Sequence, residues 1–246
     1  MPSAGNLYLL AQGEGSRWHS TVSRVGLPEQ PPEFKQLCRL GPETLIGRSA
    51  RLFEAAGFDV TVVAGADLWK AALLLSPMPD CLTLLHPGTD VLEGVRSLME
   101  IDAPSGPVVI ALGDVLFSRK AVRSIWRSVH FAQTGVMART IPNPVSLKDT
   151  EEVFACWFSP LTWPTVLERI NTVLFGGAAI PRKPWGFPLV GLPNQDKVRR
   201  AYLTGAGLEA IGEDLILSDD YTDDTDNIDE WNRFWPSLRS AALADE

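Results

Sequence analysis

The sequence predicts an α/β protein whose mostly parallel sheet is covered by helices on both faces, and three observations lead there. Short apolar runs of strand length recur, and amphipathic stretches with helical spacing follow most of them. The runs are near-continuously aliphatic and β-branched, as strands buried on both faces are. The chain has 246 residues, 45% of them hydrophobic, which is enough for one large core. No internal repeat or low-complexity linker divides it, so a single domain over 1–246 is expected.

The elements follow in order. "NLYLLAQ" (6–12) reads as the first strand, and "PETLIGRSARLFEAAG" (42–57) as a helix whose Leu45, Ile46, Ala50, Leu52 and Phe53 fall near one face. Gly57 is placed to stop it. "FDVTVVAGA" (58–66) is a second strand, "DLWKAALLL" (67–75) a helix, "CLTLLHP" (81–87) a third strand and "TDVLEGVRSLMEI" (89–101) a helix capped by Thr89 or Asp90. "PVVIALGDVLF" (107–117) is the most hydrophobic strand, and Ser118 caps the helix "RKAVRSIWRSV". Beyond residue 130 the rhythm changes. "TGVMART" and "VFACWFSP" have no helix of usual length between them, which predicts antiparallel additions at the sheet edge. A helix over 161–175 and a Gly/Pro-rich loop or lid over 176–194 come next.

Composition narrows the function. A formal net charge of −8 gives no overall attraction to nucleic acid or to an anionic membrane, so neither is expected as a partner. Much of the negative charge lies in "EDLILSDDYTDDTDNIDE". No apolar run approaches the length needed to cross a bilayer, and "MPSAGN" lacks the basic and apolar regions of a signal peptide, so a soluble, cytoplasmic protein is expected. Cys38, Cys81 and Cys156 are far apart and read as buried reduced thiols. His19, His86 and His130 show no metal-ligand spacing.

In open α/β sheets ligands bind beyond the carboxyl ends of the strands, and the loop after the first strand is a frequent phosphate cradle. Here that loop continues Leu10, Ala11 and Gln12 with Gly13-Glu14-Gly15-Ser16-Arg17. The two glycines let backbone N–H groups approach a phosphate, and Arg17 adds a forked cation. The alternative is a tight turn with positive φ. The loop is neither a Rossmann GxGxxG nor a Walker GxxxxGK[ST].

Strand, A-x-G-x-G-x-R, long loop, "FKQL" and "GPETLIGRSARLFEAAG" together resemble the signature of the GT-A-fold nucleotidyltransferase superfamily. That group includes the MobA-like molybdenum cofactor transferases and the sugar-phosphate nucleotidyltransferases. Ala11, Gly13, Gly15, Arg17, Lys35 and Leu37 match, while Gln12 stands for a small residue and Phe34 for a proline. "VVIALGDVLFS" resembles the family's strand ending in Gly-Asp, and "DDTDNIDEWNRF" its D-x-D-T-P-E-D-Y segment, with Asn227 and Ile228 replacing Thr-Pro.

The resemblance implies a GT-A-like single domain, with 6–130 as a nucleotide-binding half and 131–246 as an acceptor-binding half carrying a C-terminal metal segment. It implies Asp114 and Asp226 as ligands of Mg²⁺ (or Mn²⁺), Arg17 and Lys35 as catalytic cations, and residues 10–17, Lys35 and Thr89 around the nucleotide. Asp224 competes with Asp226 for the metal, and Asp226 has the alternative role of capping "NIDEWNRFWPSL". Arg182, Lys183 and Trp185, in the stiff "PRKPWGFP" loop, are candidates for the acceptor. The expected reaction joins an NTP to a small phosphorylated acceptor such as a sugar 1-phosphate and releases pyrophosphate. Its rivals are a GT-A glycosyltransferase using a nucleotide sugar, with a modified nucleic-acid base as one acceptor left open against the charge balance, and a non-catalytic nucleotide-binding protein.

Overall fold

The computed structural model describes residues 4–11, 34–65, 68, 106–131, 134–149, 152–166, 168, 214–225 and 227–246. The expected helices over 67–75 and 89–101, the strand over 81–87, the lid over 176–194, and all but the start of the helix over 161–175 lie outside these residues, apart from Leu68, which is helical.

Among the described residues six strands form one sheet. In chain order they are β1 (Gly5–Ala11), β4 (Phe58–Ala64), β5 (Val108–Leu112), β6 (Thr134–Arg139), β7 (Val153–Phe158) and β8 (Asp214–Ser218); β2 (Arg39–Leu40) and β3 (Glu43–Thr44) form a separate ribbon. The spatial order is β4-β1-β5-β7-β6-β8. β4, β1 and β5 run parallel, β7 is antiparallel to both β5 and β6, and β6 is parallel to β8. Five strands therefore share one direction, and their carboxyl ends share one edge of the sheet.

Two expectations are corrected here. The antiparallel strand does not extend an edge: β7 sits between β5 and β6, and among the described strands β8, hidden in the acidic C-terminal run, is the outermost on that side. The apolar stretch 107–117 is also not one strand, since β5 ends at Leu112 and the chain turns at Gly113-Asp114.

Helix α1 (Leu45–Ala55) starts later than its apolar period suggested, because Pro42 lies in the turn and Glu43 in the strands of the β2–β3 ribbon. Thr44 caps it, its side chain accepting from Gly47 N at 3.1 Å. Gly57, at φ 93°, adopts the left-handed conformation that ends the helix. Helix α2 (Arg119–Phe131) follows Ser118, whose Oγ accepts from Ala121 N at 2.8 Å, as expected of the cap.

Both sheet faces are buried. On one, Leu7, Leu9, Val109, Ala111 and Trp157 meet Phe53 of α1 and Ile125 of α2. Phe53 makes edge contacts with Phe58 and Phe117, at centroid distances of 5.7 and 5.3 Å. On the other face Tyr8, Leu10, Ile110, Val136 and Cys156 are equally covered, and Phe158 meets Trp163.

Helix α3 (Ile228–Ala244) packs through Trp231, Trp235 and Leu238 against Cys38, Leu40, Leu45 and Tyr221. Its cap is Asn227, whose side chain accepts from Asp229 N and Glu230 N at 3.1 and 3.0 Å. That replaces the capping role considered for Asp226. Asn227→Ala is expected to cost about 1 kcal/mol, read as a lower urea midpoint with an unchanged slope. Cys38 and Cys156 are buried free thiols, and burial pushes both well above their ordinary pKa.

Candidate active site

The carboxyl edge of the sheet gathers charge from four separate stretches of chain. β1 ends at Ala11, and beside it the turn after β5 is fixed by Gly113, whose N donates to Leu10 O at 2.8 Å. A Cβ on Gly113 would lie 3.0 Å from Leu10 O and 3.1 Å from Ala11 Cβ. Both contacts are tighter than a Cβ ordinarily makes, so a side chain here would push the two strand ends apart by a few tenths of an ångström, and their approach sets where Asp114 emerges. Gly113→Ala is expected to force them apart at a cost of about 1–3 kcal/mol, measurable by chemical denaturation.

Lys35 begins a single 3-10 turn, Lys35–Leu37, and is 8% exposed. Its Nζ lies 2.8 Å from Asp114 Oδ2 and 3.2 Å from Asp224 Oδ2. The lysine and aspartate singled out by the sequence are thus in contact, although 79 positions apart in the chain.

Behind them lies a buried network that sequence reasoning mostly missed. Arg139, at the carboxyl end of β6, donates from Nε to Asp223 Oδ1 at 2.9 Å and from a terminal nitrogen to Asp224 Oδ1 at 2.8 Å. Its guanidinium lies over the Phe154 ring, 5.6 Å from the centroid. Lys148, in the β6–β7 connection, donates to Asp224 O at 2.7 Å and pairs with Asp224 Oδ1 at 3.2 Å and with Glu230 Oε2 at 2.6 Å. Ser146 Oγ bonds Asp223 Oδ2. Among the described residues three cations, Lys35, Arg139 and Lys148, meet the carboxylates of Asp114, Asp223, Asp224 and Glu230 in this cluster.

Local structure explains the arrangement. Asn143, fully buried, accepts from Val145 N and Ser146 N at 2.9 Å each and donates to the carbonyls of Asp220 and Thr222 at 3.2 Å each. It ties the β6–β7 connection to the segment after β8. Leu147, at φ 60° and exposed, takes the strained left-handed conformation while its neighbours Ser146 and Lys148 point inward. Asp223 is bridged to Leu116, whose N donates to Asp223 O at 2.8 Å. That bridge brings the C-terminal acidic segment against the turn carrying Asp114.

Burial alone would raise the Asp224 carboxyl, but Lys35, Lys148 and Arg139 outweigh it and hold it well below the usual carboxylate range. Asp223 shifts the other way: burial and the Asp224 charge raise it despite Arg139.

The two aspartates beside Lys35 fit a divalent cation differently. About a third of the Asp114 side chain is exposed and it stands at the strand-end turn, a suitable oxygen donor for Mg²⁺. Asp224 is buried with Oδ1 on Arg139 and Lys148 and Oδ2 on Lys35, so its charge is already committed to protein cations. It does not fit as a metal ligand. Among the described residues no group of three or more His, Cys, Asp or Glu side chains is placed to hold a metal ion.

Of the other expected site residues, Leu10 and Ala11 are buried at the end of β1. Gln12, Gly13, Glu14, Gly15, Ser16, Arg17, Thr89, Asp226, Arg182, Lys183 and Trp185 lie outside the described residues.

Comparison with known proteins fits this architecture. The MobA-like NTP transferase domain family matches residues 8–168, more than half of the chain. The Mycobacterium sp. strain JC1 homologue of Mycobacterium tuberculosis rv0371c is similar at a TM-score of 0.55 and 19% identity, over 97% of this chain and 98% of that one. HddC from Yersinia pseudotuberculosis, complexed with GMP-PN, is similar at 0.54 and 9% identity, over 96% and 99%. LicC, the CTP:phosphocholine cytidylyltransferase of Streptococcus pneumoniae, is similar at 0.51 and 11%, over 92% and 96%. At these identities the structural likeness establishes the fold. No curated protein sequence gives a significant match. The chain belongs to the MobA-like NTP transferase family, on a GT-A-like nucleotidyltransferase fold, and is an enzyme of the nucleotidyltransferase class.

Proposed function

We propose that the protein is a Mg²⁺-dependent nucleotidyltransferase that joins an NTP to a small phosphorylated acceptor, a sugar 1-phosphate, and releases pyrophosphate. The observation that carries this reading is the Lys35–Asp114 contact of 2.8 Å at the carboxyl ends of β1 and β5, in a chain of the NTP transferase family. HddC was crystallised with GMP-PN and LicC is named for a CTP-dependent transfer to phosphocholine, which supports an NTP donor and a phosphorylated acceptor.

The family-typical divalent cation would be held by Asp114 and Asp226, where it would offset phosphate charge. The chain's own contribution is positional and electrostatic. Lys35 supplies a fixed ammonium at the cleft, and the Gly13–Arg17 loop supplies backbone N–H groups and a guanidinium for the triphosphate. An acceptor phosphate oxygen then attacks the α-phosphorus, the bond from that phosphorus to the bridging oxygen breaks, and pyrophosphate leaves. No protein nucleophile takes part. Arg182, Lys183 and Trp185 would hold the acceptor.

The test incubates the protein with each of the four NTPs, Mg²⁺ and a panel of sugar 1-phosphates, reading pyrophosphate. Release that requires both an NTP and a sugar phosphate supports the reading. Release with phosphocholine or a nucleotide acceptor alone moves the acceptor class, and no release under any pairing removes the reaction.

A further inference from the structure

Among the described residues Lys35 has two counter-ions of different kinds. Asp114 sits on a turn with a third of its side chain exposed, and its contact with Lys35 is the shorter, at 2.8 Å. Asp224 is buried and fixed from several directions: Arg139 and Lys148 hold Oδ1, and Lys148 also holds the backbone carbonyl while itself paired with Glu230. One partner of the lysine is therefore accessible to solutes, and the other is part of the protein interior.

We propose that Lys35 is an exchangeable counter-ion: without metal its ammonium stands in on Asp114 for the divalent cation, and with metal it leaves Asp114 but is kept in the cleft by Asp224. Asp224 is thus a positioning residue that acts through Lys35. The inference rests on the nucleotidyltransferase reading above. Its physical basis is that an ammonium at hydrogen-bond distance and a divalent cation repel each other and compete for one carboxylate oxygen. When the metal takes that oxygen, the ammonium needs another anion close by. Asp224 Oδ2, at 3.2 Å, is already in place. Released from Asp114, Lys35 faces the triphosphate from a fixed anchor and carries a charge no longer offset by the metal's own ligand.

The test is a titration with Mn²⁺ alone, followed by electron paramagnetic resonance, on wild type, Lys35→Met, Asp224→Asn and the double variant. Lys35→Met should bind Mn²⁺ roughly tenfold more tightly, because the competing ammonium is gone. Asp224→Asn should bind it more weakly, since Lys35 then loses its buried anchor and holds Asp114 more firmly. In the Lys35→Met background Asp224→Asn should change the affinity little, because the residue acts through the missing lysine. Equal weakening with and without Lys35 makes Asp224 a direct ligand and overturns the proposal. Lys35→Met binding no tighter than wild type overturns it as well, and this comparison decides alone if Asp224→Asn fails to fold. Pyrophosphate release by wild type, measured in parallel, separates the two readings. The Mn²⁺ pattern without release from any NTP keeps the exchange and removes the reaction; release without the pattern does the reverse.

Discussion

Arg139→Met is expected to lower stability by about 3–5 kcal/mol, the range for removing one partner of a buried ion pair. Arg139 is 1% exposed and its partners Asp223 and Asp224 are 0% and 7% exposed, so water cannot replace the guanidinium. The loss falls mainly on Asp223, because Asp224 retains Lys35 and Lys148. Urea unfolding should show the drop in midpoint, and Asp223→Asn added to the variant should recover part of it by removing the stranded charge. The pH dependence has a definite sign. Stability from the depressed Asp224 carboxyl is present above the unfolded value of about 3.9 and drains as pH falls toward the folded one. The raised Asp223 carboxyl works oppositely, contributing at low pH and losing that contribution as pH rises through its folded value. Arg139→Met leaves Asp224 with two of its three cations, so its share of the acid loss, which sets in below about pH 4, should be smaller in the variant. A steeper Asp224-dependent loss, isolated by comparison with the Asp224→Asn pair, would contradict the network.

Lys35→Met is expected to reduce pyrophosphate release about 10²- to 10³-fold, the effect of removing one preorganised group that stabilises transition-state charge. The stem packs in the same space, and only the ammonium is lost. The loss should fall mainly on kcat if the ammonium acts on charge that develops during transfer, and mainly on KM if it only holds the ground-state triphosphate. Stability should change less than activity, because Asp114 is partly exposed and Asp224 keeps Arg139 and Lys148. A Lys35→Met enzyme with wild-type kcat and KM would remove Lys35 from the reaction.

The parts of the fold visible in the sequence are those with local causes. β1, β4 and α2 follow from aliphatic runs and 3.6-residue spacing, and the end of α1 from Gly57, whereas its start at Thr44 depends on the β2–β3 ribbon that the apolar period does not show. Lys35 and Asp114 stood out because each is attached to a strand or helix by a motif of fixed order. Arg139 did not, although an arginine ending the otherwise apolar "TGVMAR" was a usable signal: a strand buried along its length carries its last side chain inward too. Asp224 stood out only as a rival metal ligand and Asp223 not at all, because their burial depends on Arg139 and Lys148 arriving from another part of the chain. β8 was obscured by the same acidic surroundings. The place of β7 is a matter of pairing, and nothing in the periodicity of "VFACWF" says that both of its neighbours run the opposite way.

The bridge between Leu116 and Asp223 also bears on how the chain is made. A nascent chain that ends before β8 already contains Arg139 and Lys148, but not the carboxylates Asp223, Asp224 and Glu230 that pair with them. Such a chain lacks the strand that pairs with the outer side of β6, and an unpaired strand edge is a template for association. A chain stopped before β8 is therefore expected to aggregate more readily than the longer one, measured by light scattering. The acidic run that closes the site is also the last step in protecting the sheet.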